Sequence, residues 1–154
     1  MKKEEKRKKI EEYLSQIEKI IGKPNCESCT HKCCLNSGYG VHRGPIIDNI
    51  YGDNVLKEDI KYVRMWFHKI PVLKSVNNAC IWFDHEKGLC KHYEKRPLEC
   101  RLYPVTLNEY GNIAINKCPG IKNLTEEELN KVKEIAKKIF SLDKKFYSSL
   151  KILK

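Results

Sequence analysis

The segment CESCTHKCC, residues 26–34, crowds four of the chain's eight cysteines into nine residues: Cys26, Cys29, Cys33 and Cys34. The other four follow far along the chain, at Cys80, Cys90, Cys100 and Cys118. Thiolates packed this closely repel one another unless a cation or a covalent bond neutralises them. The segment therefore predicts a metal site or an iron–sulfur cluster, with all eight cysteines as candidate ligands.

The spacing within this segment assigns different roles to its cysteines. Cys26 and Cys29 have the short x₂ separation of zinc knuckles and iron–sulfur loops, in which backbone N–H groups face the sulfurs. If the segment is helical, Cys33 continues their face, whereas Cys34 points about 100° away. Either the two neighbours serve different metal centres or one of them only packs.

The later cysteines lie on predicted hairpin and turn elements. Because a hairpin brings its two strands to one point, Cys80 and Cys90 can face the same ion. Cys100 lies between Arg96 and Arg101, whose charges would favour a thiolate and offset the negative charge of a cluster. Both arginines are therefore candidate cofactor-binding residues; the alternative is a surface ion pair with a neighbouring glutamate.

Other familiar motifs are absent from the sequence. The ferredoxin run C-x₂-C-x₂-C-x₃-C, a phosphate-binding P-loop, GxGxxG and HExxH do not occur. His31, inside the first cysteine segment, could replace a thiolate on zinc, and His92 is a weaker candidate. Each is also an ordinary loop residue.

Composition sets the class of protein and its partners. A chain of 154 residues fits one domain, 1–154, with a metal-binding core at about 24–120 between terminal helices. We expect no membrane segment and no secretory signal, and a cytoplasmic location, where thiols stay reduced and bind metals. Four disulfides, as in hyperthermophile proteins, are the alternative. A net charge of +10 suggests weak nucleic-acid binding or a solvated basic surface.

The apolar pattern predicts long helices at both ends of an α+β fold. One helix is expected over residues 3–21, and a second over 55–69 ended by Pro71. The last helix begins at a capping box formed by Thr125 and Glu128, and Asp143 on its apolar stripe indicates a bend or a partner. We expect the terminal helices to pack on each other, in a monomer or a homodimer.

Short hairpins are predicted between these helices. Residues 80–93 form one around a turn at 84–88, and residues 105–107 pair with 113–115. Arg96–Pro97 opens a short helical turn that carries Cys100. The expected fold is thus a small metal-centred domain with long terminal helices and short hairpins.

The residues from Cys26 to Pro104 resemble a known family. The pattern is Cys26-x₂-Cys29-x₃-Cys33-Cys34, Cys80, then Gly88-x-Cys90-x₂-Tyr93-x₂-Arg96-Pro97-x₂-Cys100-Arg101-x-Tyr103-Pro104. It is similar to the YkgJ-like CxxCxxCC/CxxCxxxCC cysteine-cluster family, whose members are described as zinc- or iron-chelating proteins. The resemblance implies metal or iron–sulfur binding and says little about activity.

Three functions are consistent with these features. The first is a protein with one or two [4Fe–4S] clusters for electron transfer, cluster carriage or sulfur handling, working with a protein or redox partner. The second is a structural zinc module that docks on nucleic acid or protein. The third is an enzyme that uses a cluster with one open iron. We predict Cys26, Cys29, Cys100 and one of Cys33 and Cys34 as ligands.

Overall fold

The computed structural model describes residues 1–24, 26, 43–77 and 79–153, and it has the predicted α+β composition. The chain forms two compact units. We call Met1–Pro24 together with Arg101–Lys154 the helical unit, and Asn25–Cys100 the hairpin unit.

Three helices build the helical unit: α1 (Lys3–Ile21), α3 (Glu126–Leu142) and α4 (Lys144–Ile152). Helix α1 has the predicted bounds and packs against α3, as expected of the terminal helices. The packed faces are the apolar stripes read from the sequence, and their buried members include Ile10, Ile17, Ile21, Val132, Ala136 and Ile139. Burial of these stripes, more than helix propensity, holds such helices together.

The capping pattern at the C-terminal helices is confirmed. The Thr125 hydroxyl accepts from the Glu128 N–H, and the Glu128 carboxylate accepts from the Thr125 N–H. The predicted bend lies at Asp143, which separates α3 from α4 and accepts from the Phe146 N–H at 3.0 Å. Asp143 is buried and is the N-cap residue of α4, so α4 begins in the interior of the helical unit.

A hairpin of β7 (Val105–Leu107) and β8 (Ile113–Ile115) completes the helical unit, as predicted. Its turn is closed by the Asn108 side chain, which accepts from the N–H groups of Tyr110 and Asn112. The chain then turns between Cys118 and Ile121, whose N–H donates to the Cys118 carbonyl.

In its described part, the hairpin unit is built from three strand pairs and the turns that connect them. Strand β1 (Ile60–Met65) pairs antiparallel with β2 (His68–Leu73), and Ile46 bridges to Val72 on the other side of β2. A Cβ added at Gly44 would overlap the Leu73 carbonyl oxygen. Glycine therefore lets the segment before Ile46 run directly alongside β2.

The helix predicted over residues 55–69 is wrong. This stretch contains a 3₁₀ turn, Lys57–Asp59, and the β1–β2 hairpin, with Pro71 inside β2. The apolar spacing resembled a helical stripe, but Leu56 and Phe67 are exposed. The β-branched and aromatic residues of 60–63 instead favour a strand, which is stabilised by pairing with residues distant in sequence.

Shorter elements carry the later cysteines. Strands β3 (Ser75–Val76) and β4 (Ala79–Cys80) form one pair, and β5 (Phe83–Asp84) and β6 (Leu89–Cys90) form the next. The turn predicted at 84–88 joins β5 to β6 and is closed by the Asp84 carboxylate. A 3₁₀ turn, Tyr93–Lys95, precedes α2 (Leu98–Leu102), which is the predicted short helix.

Among the described residues, no helix has both the length and the apolar character that crossing a membrane requires.

Candidate metal centre

Two cysteines ten residues apart pack against the same small apolar cluster. Cys80 ends β4 and Cys90 ends β6. Both pack against the buried cluster formed by Val55, Leu73 and Trp82. The Lys91 N–H donates to the Trp82 carbonyl at 2.7 Å, which ties the chain after Cys90 to the chain after Cys80. The two cysteines belong to different strand pairs, β3–β4 and β5–β6, and pack against the same cluster; that they share an ion stays a prediction.

The surroundings of Cys80 disfavour an isolated thiolate. The pKa of the Cys80 thiol is raised to about 11, mainly by burial and to a smaller extent by negative charge at Cys90 and Asp59, while hydrogen bonding from the Trp82 backbone N–H acts in the opposite direction. The effect of Cys90 means that the two sulfurs lie within electrostatic reach of each other. Asp59 is held in place because its carboxylate accepts from the Trp82 indole N–H at 3.1 Å.

Cys90 has a matching environment. Burial raises the pKa of its thiol, while hydrogen bonding from the His92 backbone N–H and the charge of Arg96 lower it. For both cysteines, the backbone N–H that lowers the pKa of the thiol belongs to the residue two positions later in the chain. Amides placed in this way are a regular feature of metal–thiolate loops.

These contacts describe a donor pair suited to a soft cation. Without a cation, two thiolates here would be desolvated and would repel each other, so both groups stay protonated. A thiophilic metal supplies positive charge to both sulfurs, and the two backbone amides then hydrogen-bond the anionic form. The donor set thus fits zinc or an iron–sulfur cluster.

Cys100 lies on α2, and a buried aspartate anchors this helix. The Asp48 carboxylate accepts from the Leu98 N–H at 2.8 Å and, with its other oxygen, from the N–H groups of Ile50 and Tyr51. One side chain thereby ties the first turn of α2 to the segment 43–51. The position of Cys100 depends on this connection.

A buried ion pair makes a second connection to α2. The Glu99 carboxylate lies 3.0 Å from the Arg43 guanidinium and accepts from the Ile46 N–H at 3.1 Å. Both side chains are only 8% exposed. Sequence reasoning did not identify Asp48, nor the pairing of Arg43 with Glu99. The available signal was an acid inside the apolar run PIIDNI, since a buried acid needs several donors.

The two predicted cofactor-binding arginines have different surroundings. Arg96 stacks on the Tyr93 ring, donates to the Tyr93 carbonyl at 2.9 Å and acts electrostatically on Cys90. Arg101 lies 3.6 Å from the Glu11 carboxylate within the helical unit. Arg96 thus lies near a candidate ligand, although that ligand is Cys90 and the sequence had suggested Cys100.

The remaining predicted ligands are distributed as follows. Cys26 is exposed, Cys118 belongs to the helical unit, and Cys29, Cys33 and Cys34 lie outside the described residues, as does His31. His92 packs edge-on against Trp82, with ring centroids 4.8 Å apart. No disulfide joins any two of the five cysteines that the structure describes. Within residues 1–24, 26, 43–77 and 79–153, no three His, Cys, Asp or Glu side chains form a group that could hold a metal.

Comparison with known proteins supports the reading of the cysteines. Residues 25–119 match the family model CxxCxxCC, described as a "Putative zinc- or iron-chelating domain". This match confirms the resemblance drawn from the sequence, and it extends to Cys118. No solved structure matches the chain.

Part of the chain is similar to a curated protein of Methanocaldococcus jannaschii. The chain is 44% identical over 55 residues to this uncharacterized protein, MJ0661. The matched segment is 36% of this chain and spans only 29% of the length of that relative.

Proposed function

Because the chain belongs to the CxxCxxCC family of zinc- or iron-chelating domains, we propose that it holds a [4Fe–4S] cluster and serves in electron transfer, cluster carriage or sulfur handling. The observation that carries this proposal is the packing of Cys80 and Cys90 against the same buried cluster, Val55, Leu73 and Trp82. Cys80 and Cys90 are two ligands in this proposal. Further thiolates come from the segment 26–34 and from Cys100.

The chemistry of this donor pair favours a cluster over a single zinc ion. The ligands are thiolates drawn from well-separated parts of the chain, which suits a cofactor whose four corners are filled from different directions. The apolar wall and the amides at the sulfurs are the features by which proteins tune the reduction potential of a cluster. When bound, the cluster would supply one-electron redox chemistry.

The chain's own residues have separate tasks in this proposal. The amides of Trp82 and His92 hydrogen-bond the sulfurs, and Arg96 offsets the negative charge that a thiolate-ligated cluster carries. Val55, Leu73 and Trp82 exclude water from one side of the pair. Asp48 fixes the helix that presents Cys100.

Metal analysis of anaerobically purified protein tests the proposal. We expect a brown protein with broad visible absorption, iron and acid-labile sulfide in equal amounts, and little zinc. The double variant Cys80→Ser/Cys90→Ser should lose most of its iron and sulfide. Val76→Ala, an exposed change in the β3–β4 hairpin, is the matched control and should keep both.

Two results would contradict the proposal. A colourless protein that contains stoichiometric zinc would replace the cluster by a zinc site. An iron content that stays the same in Cys80→Ser/Cys90→Ser would remove this pair from the ligand set.

A further inference from the structure

The tip of the β1–β2 hairpin exposes two large aromatic side chains. Met65 pairs with His68, so Trp66 and Phe67 form the two-residue loop between them. Trp66 is 90% exposed and Phe67 is 100% exposed. Apolar surface of this size at the end of a hairpin is unfavourable in water and indicates a site of interaction.

The backbone at the tip is also strained. Trp66 has φ of 57°, a left-handed conformation in which glycine or asparagine is usual and a bulky side chain is an outlier. The hairpin would therefore fold more readily with glycine at this position. Strain of this kind concentrates at functional sites, which points to a role for the indole outside folding.

Cations line one face of the same hairpin. Arg64 and Lys69 lie directly opposite each other across the two strands. Two like charges in this position destabilise a strand pair. The Lys69 ammonium lies 4.4 Å from the centre of the Tyr62 ring, on that same face. Residues 60–73 include no acid, and among the described residues no carboxylate pairs with Arg64 or Lys69.

We propose that this hairpin binds single-stranded nucleic acid. Trp66 and Phe67 stack on bases, and Arg64 and Lys69 contact phosphates, with Tyr62 extending the aromatic surface along the strand face. Flat aromatic groups next to unpaired cations suit a polyanion whose units each carry a planar ring. Tyr62 lies four residues before the loop, so the surface runs along the strand, as a chain-like ligand requires. A bilayer would meet the tip alone.

Filter binding of a radiolabelled oligouridylate of about 16 nucleotides to the metal-loaded full chain tests this proposal. Trp66→Ala/Phe67→Ala should weaken binding by roughly tenfold or more. Arg64→Gln/Lys69→Gln should weaken binding as well and should lower the slope of its logarithmic salt dependence by about 1.4.

Matched controls exist elsewhere on the surface. Tyr110→Ala removes an aromatic ring that is 79% exposed in the β7–β8 turn, and Lys144→Gln/Lys145→Gln removes two exposed cations at the start of α4. Neither should change binding by more than about twofold. A loss of affinity equal to that of the hairpin variants would mean general basic attraction and would overturn the proposal.

Trp66→Gly separates binding from folding. It relieves the backbone strain, so the melting temperature should stay the same or rise, while affinity for the oligouridylate should fall. Affinity equal to that of the unchanged protein would overturn the proposal.

Co-sedimentation with phosphatidylserine–phosphatidylcholine vesicles tests the competing class of ligand. Vesicle binding that depends on Trp66, without oligouridylate binding at low salt, would assign the hairpin to a membrane surface. An absence of both kinds of binding would also overturn the proposal.

Discussion

Arg43 and Glu99 stabilise the molecule only as a pair. Each side chain is 8% exposed, so both charges have lost most of their water, and their attraction at 3.0 Å offsets that loss. Removing one partner leaves the other charged and buried, which is more costly than removing both. The effect of a substitution here therefore depends on which residue is left behind.

We expect Glu99→Gln to reduce the free energy of unfolding by about 3–5 kcal/mol, since Gln still accepts from the Ile46 N–H but no longer neutralises Arg43. The double variant Arg43→Met/Glu99→Gln should lose clearly less free energy of unfolding than the single variant Glu99→Gln. Denaturant unfolding of both variants measures the difference. Equal losses would mean that the pair is not coupled in this way.

At the scale of single residues, the sequence identifies the metal-binding chemistry but not its support. Eight cysteines and their spacing are visible in one dimension, and the family match agrees with them. That Asp48 accepts from the N–H of the distant Leu98, as well as from Ile50 and Tyr51 in its own turn, is not visible, because no local pattern records which distant backbone groups meet in space.

At the scale of the elements, the start of helix α3 is held by more than its capping box. The capping box at the start of α3 has an additional cation, because Lys122 Nζ pairs with the Glu128 carboxylate. This hydrogen bond, together with the Thr125 N–H, lowers the pKa of Glu128 from its ordinary value of 4.5. The charged form is therefore the one that the folded state stabilises.

Glu128 stabilises the fold at pH above 4.5, and this contribution is lost as the pH falls through the lowered pKa of the folded state. We expect Glu128→Gln to reduce the melting temperature by about 1–3 °C at pH 7 and to have almost no effect near pH 3. Thermal melts at both values measure this.

Glu127→Gln is the control for this prediction, because it removes the same charge from the same helical turn. It should produce a smaller change at pH 7. If Glu128→Gln still lowered the melting temperature at acid pH, the loss of stability would not come from the charge of the carboxylate.

Local signals decided which elements could be predicted. Continuous apolar stripes and helix-end signals predict helices α1 and α3, and turn residues predict the β7–β8 hairpin. Residues 55–69 lack such signals. Their apolar spacing is compatible with a helix, and the pairing of residues 60–65 with 68–73 decides for a strand.

On the scale of the whole molecule, the two units draw on different sources of stability. The helical unit has long helices with continuous buried stripes. In its described part, the hairpin unit has strands of only two to six residues, and this unit contains most of the candidate ligands. Short strand pairs need further support, which a metal centre supplies when folding and binding are coupled.

We therefore expect metal removal to affect the units unequally. Chelation under reducing conditions should speed amide hydrogen exchange in β4, β6 and α2 by roughly tenfold or more, while α1 and α3 change little. Exchange followed by mass spectrometry of peptides measures this. Equal acceleration in both units would mean that they unfold together, and no acceleration would mean that the metal does not support the hairpins.

The two tryptophans of the chain occupy opposite environments. Trp82 is buried beside Cys80 and Cys90 with its N–H on Asp59, whereas Trp66 stands in solvent at the hairpin tip. Their intrinsic emission differs in colour for this reason, blue for the enclosed indole and red for the wet one. The molecule thus carries an optical reporter at each of its two proposed sites, so that quenching by bound iron and quenching by a stacked base can be followed separately without any attached dye.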